Sequence, residues 1–471
     1  MGYSSRMKFF GLLLCAVLVG TTQPHVSNGE RLSHCNTKLK DIPGQPMCVY
    51  RTPDKGHQPT DGRQKASQHS PRKYPENTNP RVWELSRSIS KFAFEFYKRL
   101  ASSKSNTQNI FMSPLSISTA FAMTKLGACG NTLRQLMEVF RFDTITEKTS
   151  DQVHYFFAKL NCRLYRKANK SSELVSANRL FGDKALTYNR TFQNISEAVY
   201  KAKLIPLNFR EKPNVARNYI NSWVANKTEG LIKNLLPPDA ITPFTTLVII
   251  NAIYFKGLWK SMFDKRMTTV REFEKTANIQ CRVPMMQQQG SFRFGKFTAD
   301  KVKVIELPYK GDDVSMVLIL PMAGGNLQEI EAALSHEKML GWLNRLNVVE
   351  VELAIPQFRV EDSFSLTNKL KQMGLVDLFN AEKASLPGLV EGMHTDLYVS
   401  DAFHKAFLEV NEEGSEAAAA TAVMLMGRSL RPGLEVFNAN QPFILLIREV
   451  AINAIIFMGR ISDPCPPQRG E

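Results

Sequence analysis

The sequence predicts a domain of the α+β class, in which helices and strands occupy separate parts of the chain. Segments with helical apolar spacing lie mostly in the first half, and β-rich runs lie mostly in the second half. No internal repeat is visible in the 471 residues, and nothing after residue 85 has the composition of a linker. We therefore expect one large domain, residues 82–465, with an amino-terminal extension before it and a tail, residues 466–471, after it.

The chain begins with the pattern of a secretory signal peptide. Arg6 and Lys8 precede the apolar stretch Phe9–Val19, and small and polar residues follow at Gly20–Thr22. The apolar stretch is too short to span a bilayer as a stable anchor. We predict a signal peptide over residues 1–27, cleaved between about residues 20 and 28, and therefore a secreted protein.

The extension, residues 28–81, contains a segment that cannot build a core. Residues 52–80 are rich in Pro, Gln, Ser, Asp and Lys, and Tyr74 is the one aromatic residue among them. A segment of this composition buries too little apolar surface to offset the entropy of ordering it. We interpret it as a flexible tether.

The first elements of the domain are predicted to be helices. Apolar residues recur with helical spacing from Val82, as in Trp83, Phe92 and Phe96. A further helix is predicted after Ser113, because serine is a good N-cap and the following proline suits the first helical position.

Strands are predicted further along the chain. Thr246–Phe255 and Val302–Leu307 are rich in β-branched and apolar residues. Gly311–Asp313 separates the second of these runs from Val314–Leu320. We predict an antiparallel hairpin at this position.

Cysteines and glycosylation sequons indicate an oxidising secretory route. Removal of the signal peptide removes Cys15 and leaves Cys35, Cys48, Cys129, Cys162, Cys281 and Cys465. Six cysteines in a secreted chain indicate disulfides with 15 possible connectivities, and they lack the Cys-x-x-Cys spacing of a zinc site. Sequons for N-glycosylation stand at Asn169, Asn189, Asn194 and Asn226.

The charge of the chain predicts an anionic partner. Sixty Lys and Arg against 44 Asp and Glu leave a formal net charge of +16. In a secreted, disulfide-bearing protein the available polyanions are sulfated glycosaminoglycans. We therefore expect these rather than a nucleic acid, and we expect a monomer that does not insert into membranes.

Residues 150–170 predict an amphipathic helix with an apolar face and a cationic face. The apolar stripe falls at i, i+4, i+7 and i+11, at Val153, Phe157, Leu160 and Leu164. The cationic face consists of Lys159, Arg163, Arg166, Lys167 and Lys170, with no acidic residue between them. An ordinary solvated face is the alternative, but such a face normally mixes in glutamate because like charges at i,i+4 repel. The pattern favours an anion-binding face.

Residues 412–431 carry the clearest functional signal. They combine an acidic, glycine-containing start, the alanines Ala417–Ala420 and the triplet Gly427-Arg428-Ser429. Separately, the alanines are typical of a helix and Arg428 of a solvated charge. Together, and followed by the strand-like Gln441–Phe457, they indicate an exposed loop that offers an Arg–Ser bond to a trypsin-like protease.

The chain carries no enzyme motif that we can identify. The sequence lacks G-x-S-x-G, H-E-x-x-H, a Walker loop and G-x-G-x-x-G. Its eight histidines are scattered, and we expect His404 to be structural. We predict a protein that is not an enzyme and that has no catalytic residues and no metal.

Several separated motifs resemble the serpins, a family of serine protease inhibitors. Residues 399–419 resemble the serpin hinge, and Pro442–Val450 with Ile456–Arg460 resembles the carboxy-terminal signature. Ile220–Gly230 and Asn251–Trp259 are similar to further family motifs in the family order. The resemblance covers nearly the whole predicted domain and implies three β-sheets surrounded by about nine helices, with an exposed reactive loop.

The resemblance implies suicide inhibition. The protease serine would attack the carbonyl of Arg428, the Arg428–Ser429 bond would break, and an acyl-enzyme would form. The hinge would then insert into the main sheet before water releases the protease. The hinge consists of Gly414, Ser415, Glu416, Ala417, Ala418, Ala419, Ala420 and Thr421. The implied target proteases are thrombin and coagulation factor Xa.

Within the serpins, the chain resembles the heparin-binding inhibitors of blood coagulation. Lys148–Gln152 and Arg163–Ser172 are similar to their heparin-binding region, and Cys35–Arg51 to an amino-terminal extension that few other serpins possess. The resemblance implies the disulfides Cys35–Cys162, Cys48–Cys129 and Cys281–Cys465. It also implies activation by heparin or heparan sulfate through Lys38, Lys40, Arg51, Arg81, Lys148, Phe156, Lys159, Arg163, Arg166, Lys167 and Lys170.

Several positions depart from the family pattern, among them Lys40, which replaces an arginine. Pro80 stands where the family usually has a second arginine, and Tyr155 replaces a phenylalanine. Gln287 and Gln289 occupy positions that carry a tyrosine and a glutamate of a protease exosite in relatives. We expect heparin binding to survive these changes.

Two other functions compete with inhibition. One is a non-inhibitory serpin such as a carrier, which the small residues Ala417–Ala420 argue against. The other is a matrix or growth-factor-like polyanion binder with an inert loop. Formation of a denaturation-resistant complex with thrombin separates these possibilities.

Overall fold

Nine α-helices surround two hydrogen-bonded β-sheets in the part of the chain that the computed structural model describes. That part comprises residues 47–48, 79–145, 152–165, 172–392, 397–415 and 434–465. The helices are α1 Pro80–Ser103, α2 Pro114–Lys125, α3 Gly130–Val139, α4 Gln152–Tyr165, α5 Arg190–Tyr200, α6 Pro213–Lys227, α7 Leu327–Ala333, α8 His336–Leu343 and α9 Thr367–Gln372.

The starts of the first two helices follow from N-capping. The Asn79 side chain accepts from the backbone N–H of Arg81, so α1 begins at Pro80, two residues before the predicted domain start. The Ser113 side chain caps α2 as predicted, by accepting from the N–H of Ser116. Every residue of α2 is buried, which explains why its polar residues are not gathered on one solvent-facing side of the helix.

The six-stranded sheet contains β2 (Ser172–Asp183), β3 (Ile205–Leu207), β4 (Leu247–Leu258), β10 (Phe358–Ser365), β11 (Val399–Val410) and β12 (Gly414–Ser415). Its strand order is β10-β11-β4-β2-β3, with β12 paired to β4. The β4–β11 pair at the centre is parallel, whereas β2 pairs with β4 in the antiparallel sense. We call the boundary between β4 and β11 the seam.

The nine-stranded sheet contains β1 (Ile110–Met112), β5 (Thr269–Thr276), β6 (Ile279–Phe297), β7 (Val302–Pro308), β8 (Val314–Pro321), β9 (Asn347–Pro356), β13 (Glu435–Asn438), β14 (Phe443–Glu449) and β15 (Ala454–Ile461). The predicted hairpin is present, because β7 and β8 pair in the antiparallel sense. The 19-residue β6 pairs successively with β5, β9 and β7 and so joins these strands into one continuous ladder.

Two apolar cores hold these layers together. The larger core lies between the helices and the two sheets and includes Phe111 stacked on Phe457 at 5.1 Å between ring centroids. The smaller core lies between α6 and the outer face of the six-stranded sheet, where Ile220 packs among Val248 and Phe403. Helix α6 and the chain after it therefore cover the seam from outside. None of the helices described is long and apolar enough to cross a membrane.

Candidate functional site

The beginning of the hinge is already paired with the six-stranded sheet. Gly414 and Ser415 form β12 and pair in the antiparallel sense with Leu258 and Gly257 at the end of β4. On the opposite edge of β4, Gly257 pairs with Ser172 of β2. Strand β12 therefore lies on the same side of β4 as β11. The chain that continues from Ser415 is therefore aimed into the seam.

The two paired hinge residues fit their position through close contacts. Ser415 is fully buried, and its hydroxyl lies 2.7 Å from the hydroxyl of Tyr309. Burial raises the pKa of Tyr309 well above its usual range, so the phenol stays protonated. Gly414 has φ +152°, and a Cβ there would lie 1.9 Å from the Gly257 carbonyl oxygen. Only glycine therefore fits at this point.

A segment that follows β4 receives the turn before the hinge; we call residues 259–268 the docking segment. The backbone N–H of Trp259 donates to the Glu413 carbonyl at 2.9 Å. The indole Nε1 of Trp259 donates to the Asn411 carbonyl at 2.9 Å. The ring of Trp259 also stacks on Tyr309 at 4.5 Å between ring centroids. These contacts place the start of the hinge at one end of the seam.

A buried polar cluster lies beneath the middle of the sheet. His404 of β11 accepts a hydrogen bond at Nε2 from the Ser113 N–H at 3.2 Å and bonds through Nδ1 to the Asn251 side chain. Asn251 in turn donates to the Ser116 hydroxyl at 2.6 Å. Burial lowers the pKa of His404 to about 3, so this imidazole is neutral at physiological pH. It ties β4 and β11 to α2 and has the structural role expected for it.

The remaining predicted reactive-loop residues lie outside the described residues. These are Arg428, Ser429, Glu416, Ala417, Ala418, Ala419, Ala420 and Thr421.

Helix α4 carries the described part of the cationic face. Val153, Phe157 and Leu160 of its predicted apolar stripe are completely buried. On the other side, the Lys159 ammonium lies 5.4 Å from the centre of the Tyr155 ring. The Arg163 guanidinium lies 2.8 Å from the carboxylate of Glu449, whose side chain is 4% exposed.

Two predicted polyanion contacts have surroundings that limit their access. Phe156 is 5% exposed, so it cannot touch a polyanion in this conformation. Arg81 forms an ion pair with Glu84 at 2.9 Å within the first turn of α1. The other proposed contacts lie outside the described residues, namely Lys38, Lys40, Arg51, Lys148, Arg166, Lys167 and Lys170.

The inner side of α4 contains a buried histidine. His154 lies 2.7 Å through Nδ1 from the Tyr200 hydroxyl of α5 and 3.4 Å through Nε2 from the Lys125 ammonium of α2. Because an ammonium can only donate, Nε2 accepts and Nδ1 carries the proton. Burial, assisted by the Lys125 charge, lowers the pKa of His154 well below its usual value. A neutral imidazole therefore links α4 to both neighbours.

Two described disulfides have the pairing that the serpin resemblance implies. Cys48 is joined to Cys129, and Cys281 is joined to Cys465. Cys162 is also in a disulfide, whereas its expected partner Cys35 lies outside the described residues. The one group of three potential metal ligands in the described chain, Cys281, Asp463 and Cys465, has both sulfurs in a disulfide.

The described sequons lie at the surface. Asn194 and Asn226 are exposed on α5 and α6. Asn189 is half-buried, and its Oδ1 caps α5 by accepting from the N–H groups of Thr191 and Phe192. Asn169 lies outside the described residues.

Several residues of the site escaped sequence analysis. Tyr309, Lys265 and Glu449 become neighbours of the hinge or of α4 only through tertiary contacts. Trp259 was visible as part of a family-like motif, but its contact with Asn411 spans 152 residues of sequence. Gly414 carried a local signal, because a lone glycine between a strand and a small-residue run is typical of a special backbone conformation.

Comparisons with known proteins agree on one family. The model for "Serpin (serine protease inhibitor)" matches residues 87–464. Antithrombin-III of Mus musculus is 57% identical over 454 residues, and that of Homo sapiens is 56% identical over 453 residues, each alignment covering 96% of both chains. Among solved structures, uncleaved ovalbumin aligns at 30% identity with a TM-score of 0.73, covering 81% of this chain and 100% of its own. Human thyroxine-binding globulin aligns at 29% identity with a TM-score of 0.74, covering 82% and 100%.

Proposed function

This chain belongs to the serpin family of serine protease inhibitors, and we propose that it traps trypsin-like coagulation proteases covalently at the Arg428–Ser429 bond. It is an inhibitor and not an enzyme. The proposed targets are thrombin and factor Xa, in keeping with its 56–57% identity to proteins named antithrombin-III.

The observation that carries this proposal is the direction of β12. The chain enters the seam at Gly414 and Ser415, beside the end of β4. Cleavage after Arg428 would free the rest of the hinge to continue between β4 and β11. The parallel β4–β11 ladder would then be replaced by two antiparallel ladders, which are somewhat more stable per residue. Insertion therefore favours the cleaved, protease-bound state over the intact one.

Sulfated glycosaminoglycans are the proposed activators. The cationic face of α4 would bind their sulfates, bidentately through arginine and as point charges through lysine. Lys38, Lys40, Arg51 and Arg81 would extend that face, because the Cys48–Cys129 bridge and the proposed Cys35–Cys162 bridge would hold the extension, residues 28–81, near α4. A polyanion that binds inhibitor and protease together would raise the rate of trapping, in addition to any increase that comes from a shift in the conformations of the reactive loop.

We propose that the protein is secreted to the extracellular space as a glycoprotein. The signal peptide, the disulfides and the sequons at Asn169, Asn189, Asn194 and Asn226 support this localisation. The proposed domain begins near Pro80, where α1 starts, and ends at Cys465.

The test is a denaturing gel after mixing the secreted protein with thrombin, with and without heparin. A band at the summed mass of inhibitor and protease heavy chain is expected for the wild type and should be absent for Arg428→Glu. Arg431→Glu is the matched control, because Arg431 precedes Pro432 and should not be cleaved. Absence of the complex from the wild type under both conditions would exclude inhibition of thrombin and favour a carrier or an inert polyanion binder.

A further inference from the structure

The register of β12 determines where a fully inserted hinge would end. Because β12 pairs with β4 in the antiparallel sense, each further hinge residue would lie one residue further back along β4. Arg428 lies thirteen residues after Ser415, and Phe244 lies thirteen residues before Gly257, the partner of Ser415. An inserted strand that keeps this register therefore brings Arg428 level with Phe244. This point is at the end of the seam opposite to the docking segment.

Phe244 belongs to a hydrogen-bonded turn, residues 242–245, which we call the pole turn. The backbone N–H of Thr245 donates to the Thr242 carbonyl at 3.0 Å, and the N–H of Thr242 donates to Oγ1 of Thr245 at 2.9 Å. Ile241, immediately before the turn, is 4% exposed and belongs to the smaller core. The ring of Phe244 is therefore presented from a turn that is anchored to the body of the domain.

The far end of the seam is closed by bonds that full insertion would replace. The N–H of Thr246 donates to the Ser400 hydroxyl at 3.0 Å, and the Thr246 hydroxyl donates to the Tyr398 carbonyl at 2.7 Å. Both partners lie at the beginning of β11, so a strand that enters between β4 and β11 separates them from Thr246. The bonds within the pole turn do not involve β11. Insertion therefore leaves Phe244 presented as before.

Phe244 is open to solvent before insertion. Its exposed fraction, 84%, is the largest among the exposed large apolar residues of the described chain. A single exposed apolar side chain is common on protein surfaces, so exposure alone indicates no function. The position of the ring does, because the register brings the bond between Arg428 and a trapped protease to the same place.

We propose that Phe244 packs against the trapped protease and slows its release. The proposal rests on the proposed function and adds a contact residue to it. Release is hydrolysis: water attacks the Arg428 carbonyl, the ester bond to the protease serine breaks, the serine oxygen regains a proton, and Arg428 keeps a carboxylate. A phenyl ring packed beside this ester excludes water from it. The apolar surface that the ring buries also stabilises the trapped state.

The first test measures the rate at which purified thrombin complexes release active thrombin. Release from Phe244→Ala should be about three- to tenfold faster than from the wild type, with Phe244→Leu between the two. The rate of complex formation should stay unchanged, because Phe244 lies at the far end of the seam from the start of the hinge. Val270→Ala is the matched control, since Val270 is 56% exposed but follows the docking segment at the other end.

The second test asks what covers position 244. In Phe244→Cys, the introduced thiol should be alkylated rapidly in the free inhibitor and in inhibitor that has been cleaved and released. In the thrombin complex its alkylation should slow at least about fivefold, because the centre of an interface excludes solvent. The thiol introduced by Val270→Cys should react at the same rate in all three states.

The proposal is overturned if Phe244→Ala releases thrombin at the wild-type rate or if Val270→Ala accelerates release equally. Equal protection of the thiol in cleaved inhibitor and in the complex also overturns it, because the inserted strand rather than the protease would then cover this position. If the wild type forms no thrombin complex, the proposed function fails and this inference fails with it. A stable complex without the expected differences rejects the role of Phe244 alone, so the two failures are distinguishable.

Discussion

At the scale of single residues, a carboxylate of the protein and a bound sulfated chain would compete for Arg163. Its guanidinium is paired with the carboxylate of Glu449, which also accepts from the N–H of Ile452 at 2.9 Å. A sulfated chain that binds Arg163 must therefore compete with a buried carboxylate. The sequence predicted the cation at this position but not its acidic neighbour, because 286 residues separate the two in the chain.

We predict opposite effects of changing the two members of this pair. Glu449→Gln keeps a hydrogen-bond acceptor but removes the competing charge, so heparin affinity should rise about two- to fivefold. Arg163→Ala should lower heparin affinity and reduce the salt dependence of binding by about one ion. Titrations at several salt concentrations measure both effects.

The control for this pair is Glu272→Gln, which removes one exposed negative charge on β5. It should change heparin affinity little. If Glu449→Gln binds no better than this control, Glu449 does not compete with the polyanion, and Arg163 is only a structural anchor for β14.

At the scale of elements, the periodicity of α4 predicted its buried stripe but not its full width. Val153 and Phe157 are buried as expected. Phe156, placed among the heparin contacts by resemblance, is buried too. The physical reason is that α4 packs against α1, α2 and α5 and against strand β2. A helix with several packed neighbours buries a wider arc than a single stripe, and local sequence cannot indicate how many neighbours a helix has.

The docked hinge is a second element that the sequence could not place. Side chains alternate along a strand, so one face of the hinge turns toward the interior of the sheet, and Ser415 on that face is fully buried. That Gly414 and Ser415 already pair with β4 depends on the docking segment, about 150 residues earlier in the chain. Composition of the hinge alone carries no information about this partner.

We predict that blocking the hinge converts the inhibitor into a substrate. Ala419→Pro would remove a ladder N–H in a central strand, and Ala417→Glu would bury an unpaired carboxylate. Neither change touches the Arg428–Ser429 bond, so thrombin should still cleave it. Insertion would become slower than deacylation, so the protease would be released by hydrolysis of the acyl-enzyme. Loop cleavage should therefore continue while the yield of complex falls at least about tenfold.

Ala417→Ser, which keeps a small side chain, is the control for this series and should retain most of the complex. Parallel measurement of cleaved inhibitor and trapped thrombin distinguishes slow insertion from loss of recognition. A full yield of complex from Ala419→Pro would show that trapping does not require the strand to enter the seam.

At the scale of the whole molecule, the sequence predicted the α+β class and, through its motifs, the serpin family, and both are confirmed. The sequence did not predict that the 19-residue β6 pairs with three other strands. Pairing between distant strands is set by tertiary packing. The boundaries of capped helices such as α2 were predictable because the capping signals of Ser113 and Pro114 are local.

Three buried histidines predict how the stability of the whole domain depends on pH. Burial lowers the pKa of His336 to about 4 and that of His404 to about 3, and His154 shifts in the same direction. Histidine in the unfolded chain has a pKa of about 6.5. Below that pH these histidines bind protons in the unfolded state but not in the folded state. The free energy of unfolding must therefore fall as the pH falls. Each such histidine contributes a slope of about 1.4 kcal/mol per pH unit down to its folded pKa.

We therefore expect denaturant unfolding to show full stability above about pH 7 and a steady loss between about pH 6.5 and 5, where most carboxylates remain ionised. His336→Gln should flatten this slope by about one third, because two of the three groups remain. His57→Gln, within the predicted flexible tether, should leave the slope unchanged. A free energy of unfolding that stays constant between pH 7 and 5 would mean that these imidazoles gain protons without unfolding the domain. The neutral links of His154 and His404 to α2 would then not be what holds α4 and the seam in place.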